Sequence, residues 1–197
     1  MRKTLLSIAA ALALSAPIAA HAQFYAGGGL GLGHVSVDCS VVDSCDKNAF
    51  GFKAYGGYRF ENGWATELAY FDWGQVKASG SLAAVGVPGT TLSGKLSAQG
   101  LGIGLAYFLP LPGEWVGLFR FGGVQNRSKF DVTDGTVSVG ESKGAFFAYG
   151  GVGLAYRLTP QLSVTAEADF SRTKWGIDGE YEADNVQLYT VGLRYSF

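Results

Sequence analysis

Apolar and polar residues alternate with a period of two along most of this chain, most clearly at its end. There Tyr189, Val191, Leu193, Tyr195 and Phe197 interleave with Thr190, Gly192, Arg194 and Ser196, one set apolar and the other polar or small. Successive side chains of a strand point to opposite faces, so this pattern predicts a β-strand with one greasy side. Residues 161–172 repeat it. Leu162, Val164, Ala166, Ala168 and Phe170 face one way, and Ser163, Thr165, Glu167, Asp169 and Ser171 the other, which puts the carboxylates on the polar face. The same reading places strands near 24–34, 49–60, 64–75, 95–108, 115–127, 144–157, 161–173 and 185–197.

The connections alternate in length. Short links fall at Glu61-Asn62-Gly63, at 110–113 and at Leu158-Thr159-Pro160, each with turn-forming Gly, Pro or Asn. Long polar links fall at 35–48, 76–94, 128–143 and 174–184. Aromatics gather at the strand ends: Phe24, Tyr58, Phe60, Trp64, Tyr107, Phe108, Trp115, Tyr156 and Phe197 beside the short turns or termini, and Phe71, Trp73 and Phe146 toward the long loops. Amphipathic rings favour the headgroup region of a bilayer, so two girdles are expected, with the short turns periplasmic and the long loops outside. The fold class predicted is all-β, an eight-stranded antiparallel up-and-down transmembrane β-barrel. A soluble sandwich has no need of rings concentrated at strand ends.

Composition supports this. The chain has 30 glycines, 14% aromatic residues and only 16% charged residues, against about a quarter charged in an ordinary soluble domain. After residue 22 no apolar run is long enough to span a bilayer as a helix. A formal net charge of −1 gives no basis for a nucleic-acid partner. The N-terminus has the layout of a secretory signal peptide: basic Arg2 and Lys3, an apolar run from Leu5 to Leu14, a breaker at Pro17 and the small-residue site Ala20-His21-Ala22. The expected organisation is therefore a cleaved signal peptide over 1–22 and a barrel domain over 23–197. Cys39 and Cys45 lie close together in a polar stretch of an exported chain, which favours a disulfide across the first long loop over a metal site.

Particular residues carry a family likeness. Residues 51–60 (GFKAYGGYRF) and 65–74 (ATELAYFDWG) resemble the second and third strands of the OmpA-like transmembrane domain. Residues 118–123 (LFRFGG), 148–152 (AYGGV) and 158–162 (LTPQL) are similar to its later strands and turns, so the likeness covers nearly the whole chain after residue 22. The ending Gly192-Leu-Arg-Tyr195-Ser-Phe197 resembles the C-terminal signal read by the barrel assembly machinery, with Gly192, Tyr195 and Phe197 at the matching positions. The resemblance implies a Gram-negative outer-membrane protein in contact with membrane lipid and lipopolysaccharide, monomeric, with no cofactor. OmpA proteins continue into a peptidoglycan-binding domain and this sequence stops at its last strand, so cell-wall tethering is not expected.

Parity sends Lys53, Tyr55, Arg59, Glu67, Arg120, Glu167, Asp169 and Arg194 inward. Both signs are present, and an eight-stranded barrel is just wide enough to be filled by side chains, so a plugged, charge-paired lumen is expected. Glu67 is expected to sit diagonally from Arg59 across the short hairpin, and Arg194 to lie on the strand beside the one carrying Glu167, so that opposite charges can pair. Inward glycines at 27, 29, 31, 33, 100, 102 and 104 are expected to leave room for long arginine side chains. Three chemical readings compete with a plain barrel. His34-Val35-Ser36 has the H-x-S spacing of a lipid A deacylase, with Asp38 as third member. Asp178, Glu180, Glu182 and Asp184 could hold Ca²⁺ or form a solvated crown. The glycine run 27–33 lacks the lysine and helix of a phosphate loop. The functional expectation is a non-enzymatic barrel with no catalytic, metal or cofactor site, serving envelope integrity or presenting four loops to external partners. The alternatives are a narrow solute pore, an adhesin and, remotely, a lipid A-modifying enzyme.

Overall fold

Each stretch of period-two alternation becomes a strand in the computed structural model, which describes residues 24–36, 44–45, 47–81, 91–133, 138–175 and 182–197. Among the described residues the barrel strands are β1 (Phe24–Val35), β2 (Asn48–Arg59), β3 (Trp64–Ser81), β4 (Thr91–Pro110), β5 (Trp115–Thr133), β6 (Ser138–Arg157), β7 (Leu162–Trp175) and β8 (Glu182–Ser196). A two-residue strand, Ser44–Cys45, pairs with the outer end of β3. No described helix is long and apolar enough to cross a membrane.

Among the described residues all pairings are antiparallel, each barrel strand pairs with its chain neighbours, and the sheet closes where β1 meets β8, from Tyr25 opposite Ser196 to Val35 opposite Val186. Closure leaves no open edge, the only way a sheet satisfies its backbone groups in hydrocarbon.

Four of the strands run further toward the long loops than the alternation predicts. The β3–β4 ladder continues to Ser81 opposite Thr91, and β5–β6 to Thr133 opposite Ser138. Outside the bilayer both faces of a strand are wet, so the apolar signal stops while the hydrogen-bonded ladder does not.

One irregularity interrupts β3, a bulge between Asp72 and Gly74. Gly74 has φ +96°, a region open to glycine, and its amide donates to Asp72 Oδ1 at 3.0 Å.

The outer wall is apolar. Ile103 is 67% exposed and Val191 65%, while their neighbours Gly102 and Thr190 are buried. Such a continuous apolar band suits acyl chains rather than water.

Near the short turns Phe24, Phe60, Trp64, Trp115, Tyr156 and Phe197 lie on the outside, and several meet edge to face, among them Trp115 and Tyr156 at 4.9 Å. Toward the loops the outward rings are Phe50, Phe146, Phe170 and Tyr189. Three rings expected in the girdles point inward instead. Phe71, Trp73 and Phe108 are buried, because the parity that sends Glu67 into the lumen also sends positions 71 and 73 there.

The β1–β8 seam requires a close approach. A Cβ at Gly31 would run into the backbone carbonyl of Tyr189, whereas one at Gly56 would meet nothing nearer than the Tyr25 carbonyl at 3.5 Å. Gly31→Val is therefore expected to cost about 1–3 kcal/mol of folding free energy in lipid vesicles, read from the urea midpoint. Gly56→Ala is expected to stay within about 0.5 kcal/mol. Equal effects would contradict the packing at the seam.

Candidate functional site

The inward-facing charged residues of four strands meet at the centre of the barrel. Arg120 on β5 reaches Glu67 on β3 with Nε 2.7 Å from Oε1, and Glu167 on β7 with Nη1 2.7 Å from Oε2. Lys53 on β2 pairs with Glu167, and with Asp169 at 2.5 Å. Two phenols complete the network. Tyr25 donates to Glu67 Oε2 at 2.9 Å, and Tyr55 donates to Glu167 Oε1 at 3.0 Å while its ring faces the Arg120 guanidinium at 4.5 Å. All of these side chains are buried.

Toward the loops the lumen is closed by packing. Phe71 stacks on Trp73 with centroids 4.9 Å apart and planes 11° from parallel, and Tyr149 meets Phe71 edge on at 5.3 Å. Trp73 Nε1 donates to Asn126 Oδ1 at 3.0 Å, and Asn126 Nδ2 donates to the Arg172 carbonyl at 2.6 Å. Val35, Val124, Val186 and Leu188 are fully buried core side chains alongside.

Of the seven charged lumen residues picked from sequence, the structure brings five together: Lys53, Glu67, Arg120, Glu167 and Asp169. Arg59 and Arg194 stand apart, with their guanidinium carbons 5.5 Å and 4.8 Å from the Phe108 ring centroid. Neither Arg59 with Glu67 nor Arg194 with Glu167 forms an ion pair among the described residues. In the ladder Glu67 lies opposite Gly57 and Arg59 opposite Ala65, so Arg59 sits nearer the turn and Glu67 takes Arg120 from across the lumen. Glu167 lies opposite Thr190 and Arg194 opposite Ser163. That separation is four residues, about 13 Å along a strand.

The inward glycines make no room for arginines: Gly27, Gly102 and Gly104 face rings, while Gly29, Gly31, Gly33 and Gly100 face Thr190, the Tyr189 carbonyl, the Trp73 carbonyl and Asn126. A Cβ at Gly27 would strike the Tyr55 ring, one at Gly102 would press on Tyr149 and Phe71, and one at Gly104 on the Tyr149 hydroxyl.

Parity could have found the residues that sequence reasoning missed. Tyr25 shares the face of Gly27 to Gly33, and Asn126 the face of Arg120.

His34 Nδ1 lies 2.8 Å from Asn48 Oδ1, so its described partner is an amide and not a carboxylate. Ser36 is exposed. Asp38, Cys39, Asp178 and Glu180 lie outside the described residues, as do the side chains of Cys45 and Glu182, so the disulfide, the third member of the H-x-S reading and all of the calcium crown but Asp184 fall there too. At the C-terminal motif Gly192 lets β8 close on the Gly28 carbonyl. Tyr195 and Phe197 lie on the lipid-facing side, with their rings edge to face at 5.1 Å.

A family model described as an outer membrane protein beta-barrel domain matches residues 6–197. No curated protein sequence matches the chain. Among solved structures, the chain is similar to Neisserial surface protein A at 17% identity, covering 88% of this chain and 97% of that one with a TM-score of 0.56. It is also similar to Ail, the attachment invasion locus protein of Yersinia pestis, at 17% identity over 90% of this chain and 100% of that one, TM-score 0.55. For the outer membrane protein OprG of Pseudomonas aeruginosa the values are 13% identity, 89% and 96% coverage, and a TM-score of 0.60. At these identities the likeness establishes the fold.

Burying charges costs several kcal/mol each unless partners compensate, so removing one member of the network exposes the full penalty of the others. Arg120→Met is expected to destabilise the barrel by about 3–5 kcal/mol in equilibrium urea refolding, since it takes from Glu67 its ion-pair partner and leaves Glu167 paired with Lys53 alone. The Tyr149 hydroxyl has no hydrogen-bond partner among the described residues. Tyr149→Phe is therefore expected to be neutral or slightly stabilising, and a loss comparable to that of Arg120→Met would refute this assignment of the network.

Proposed function

This chain belongs to the outer membrane protein β-barrel domain family, and from that premise we propose that it acts as a non-enzymatic, plugged barrel that holds its external loops for surface interaction. It resides in the outer membrane of a Gram-negative cell, where its wall contacts lipid and lipopolysaccharide. The observation that carries the reading is the filled lumen, in which Arg120 bridges two carboxylates beneath the Phe71–Trp73 stack. A barrel filled with buried ion pairs and stacked rings is suited to rigidity rather than to transport.

The strands that outrun the apolar band give the loops a stiff base above the membrane, and loops on a rigid scaffold are where specificity is usually placed. Two of the similar structures bear names of the same kind, a surface protein and an attachment invasion locus protein. The rest of the proposal is that the chain is exported with residues 1–22 removed, carries a Cys39–Cys45 disulfide in its first loop, is delivered through Gly192, Tyr195 and Phe197 to the assembly machinery, and works as a monomer without cofactor or metal.

Three measurements test this reading. Single-channel recording in planar bilayers is expected to give no discrete conductance steps, and reproducible steps would favour the narrow-pore alternative instead. Deleting residues 82–90 is expected to lower cell attachment to surfaces while the barrel still migrates as a folded, heat-modifiable species. Unchanged attachment would move the role to envelope integrity. Lipid A from cells with and without the protein is expected to carry the same acyl chains by mass spectrometry, and a lost chain would revive the H-x-S chemistry.

A further inference from the structure

The lumen charges do not cancel where the barrel opens to the periplasm. Lys53 and Arg120 meet three carboxylates at the centre, which leaves Arg59 and Arg194 without a carboxylate partner among the described residues. Both guanidinium groups are held against one ring, Phe108. Arg194 is only 4% exposed, and its Nη1 is buried with no hydrogen-bond partner among the described residues. An unsatisfied charged donor of this kind is costly unless an acceptor reaches it.

Arg59, Arg157 and Arg194 line a cavity of about 830 Å³ at the short-turn end, and Arg59 and Arg157 also line an adjoining one of about 520 Å³. Among the described residues the ion pair at this mouth is the exposed one of Arg157 with Glu114 at 3.5 Å, and Glu61 also lines the smaller cavity. Ser163, opposite Arg194 in the ladder, adds a hydroxyl to the wall.

We propose that this periplasmic mouth is an oxyanion site for a phosphate-bearing ligand, with Arg194 as the innermost donor and Arg59 and Arg157 as the flanking ones. Three arginines converging on one polar cavity suit a tetrahedral oxyanion, because guanidinium groups donate in a fixed fork and stay charged at every accessible pH. The short turns lie at the level of the inner-leaflet headgroups, so the phosphate has two possible sources, a phospholipid headgroup or a free periplasmic solute. Selection rests on charge and donor geometry, which the two sources share.

The probe is inorganic phosphate, titrated into the refolded protein in octyl glucoside and followed by ³¹P line broadening and calorimetry. Saturable binding is expected. Arg194→Gln is expected to weaken it by about tenfold or more, the loss of one charge-assisted hydrogen bond, and Arg59→Gln to weaken it as well. Glu114→Gln is expected to tighten it, because it releases Arg157. Heat-modifiable migration verifies that each variant is folded, and the Glu114 variant tests the site from a position outside the buried network. Repeating the titration in phosphatidylglycerol nanodiscs separates the sources: blocked binding there identifies the headgroup, and unchanged binding identifies a free solute. No saturable binding in octyl glucoside, or equal affinity in wild type and both arginine variants, would overturn the site.

Discussion

Every other feature of this molecule depends on one constraint, that no backbone amide or carbonyl is left unpaired inside the bilayer. An open sheet fails that constraint at its two edge strands, and the β1–β8 ladder removes both. The seam demands little side-chain bulk on its inward face, which β1 meets with its glycine run and β8 with Gly192. The wall that results turns leucine, isoleucine, valine and aromatic side chains outward, and these suit acyl chains as they would not suit water.

Closure at eight strands also fixes what the interior can be. The bore is narrow, so inward side chains from opposite walls touch, and each charged group needs a partner within reach. Arg120 meets this need for Glu67 and Glu167, and Lys53 for Glu167 and Asp169. The phenols of Tyr25 and Tyr55 fill remaining acceptor positions, and the Tyr55 ring packs against the guanidinium group. Centre and loop-side end are thus closed by different physics, ion pairing in one and ring stacking in the other. The turn-side end keeps an open cavity with unbalanced arginines.

Much of this was legible in the chain because a strand has a period of two and a barrel has only two sides. Parity alone placed Glu167, Asp169, Thr190 and Arg194 inside and Tyr189, Val191 and Leu193 outside, as the structure has them. What parity does not encode is height along the barrel axis. Arg59 and Glu67 share a hairpin and a face, yet strand stagger and tilt bring Arg120 from across the lumen to Glu67 first. The positions of Phe71 and Trp73 were legible and misread, since a preference of rings for the interface was set above the alternation that already had Glu67 inside. The outer reaches of β3 to β6 were not legible from apolar pattern, because beyond the lipid boundary hydrogen bonding alone sustains the ladder.

The central claim is closure, and the β1–β8 seam is where it can be tested most directly. Amide NMR in lipid nanodiscs should show cross-strand contacts between Gly28 and Leu193 and between Leu30 and Val191, the pairs that face one another in the ladder. Their exchange with solvent deuterium should be as slow as in the β5–β6 hairpin. Absent contacts, with fast exchange confined to β1 and β8, would mean an open sheet and would contradict the account.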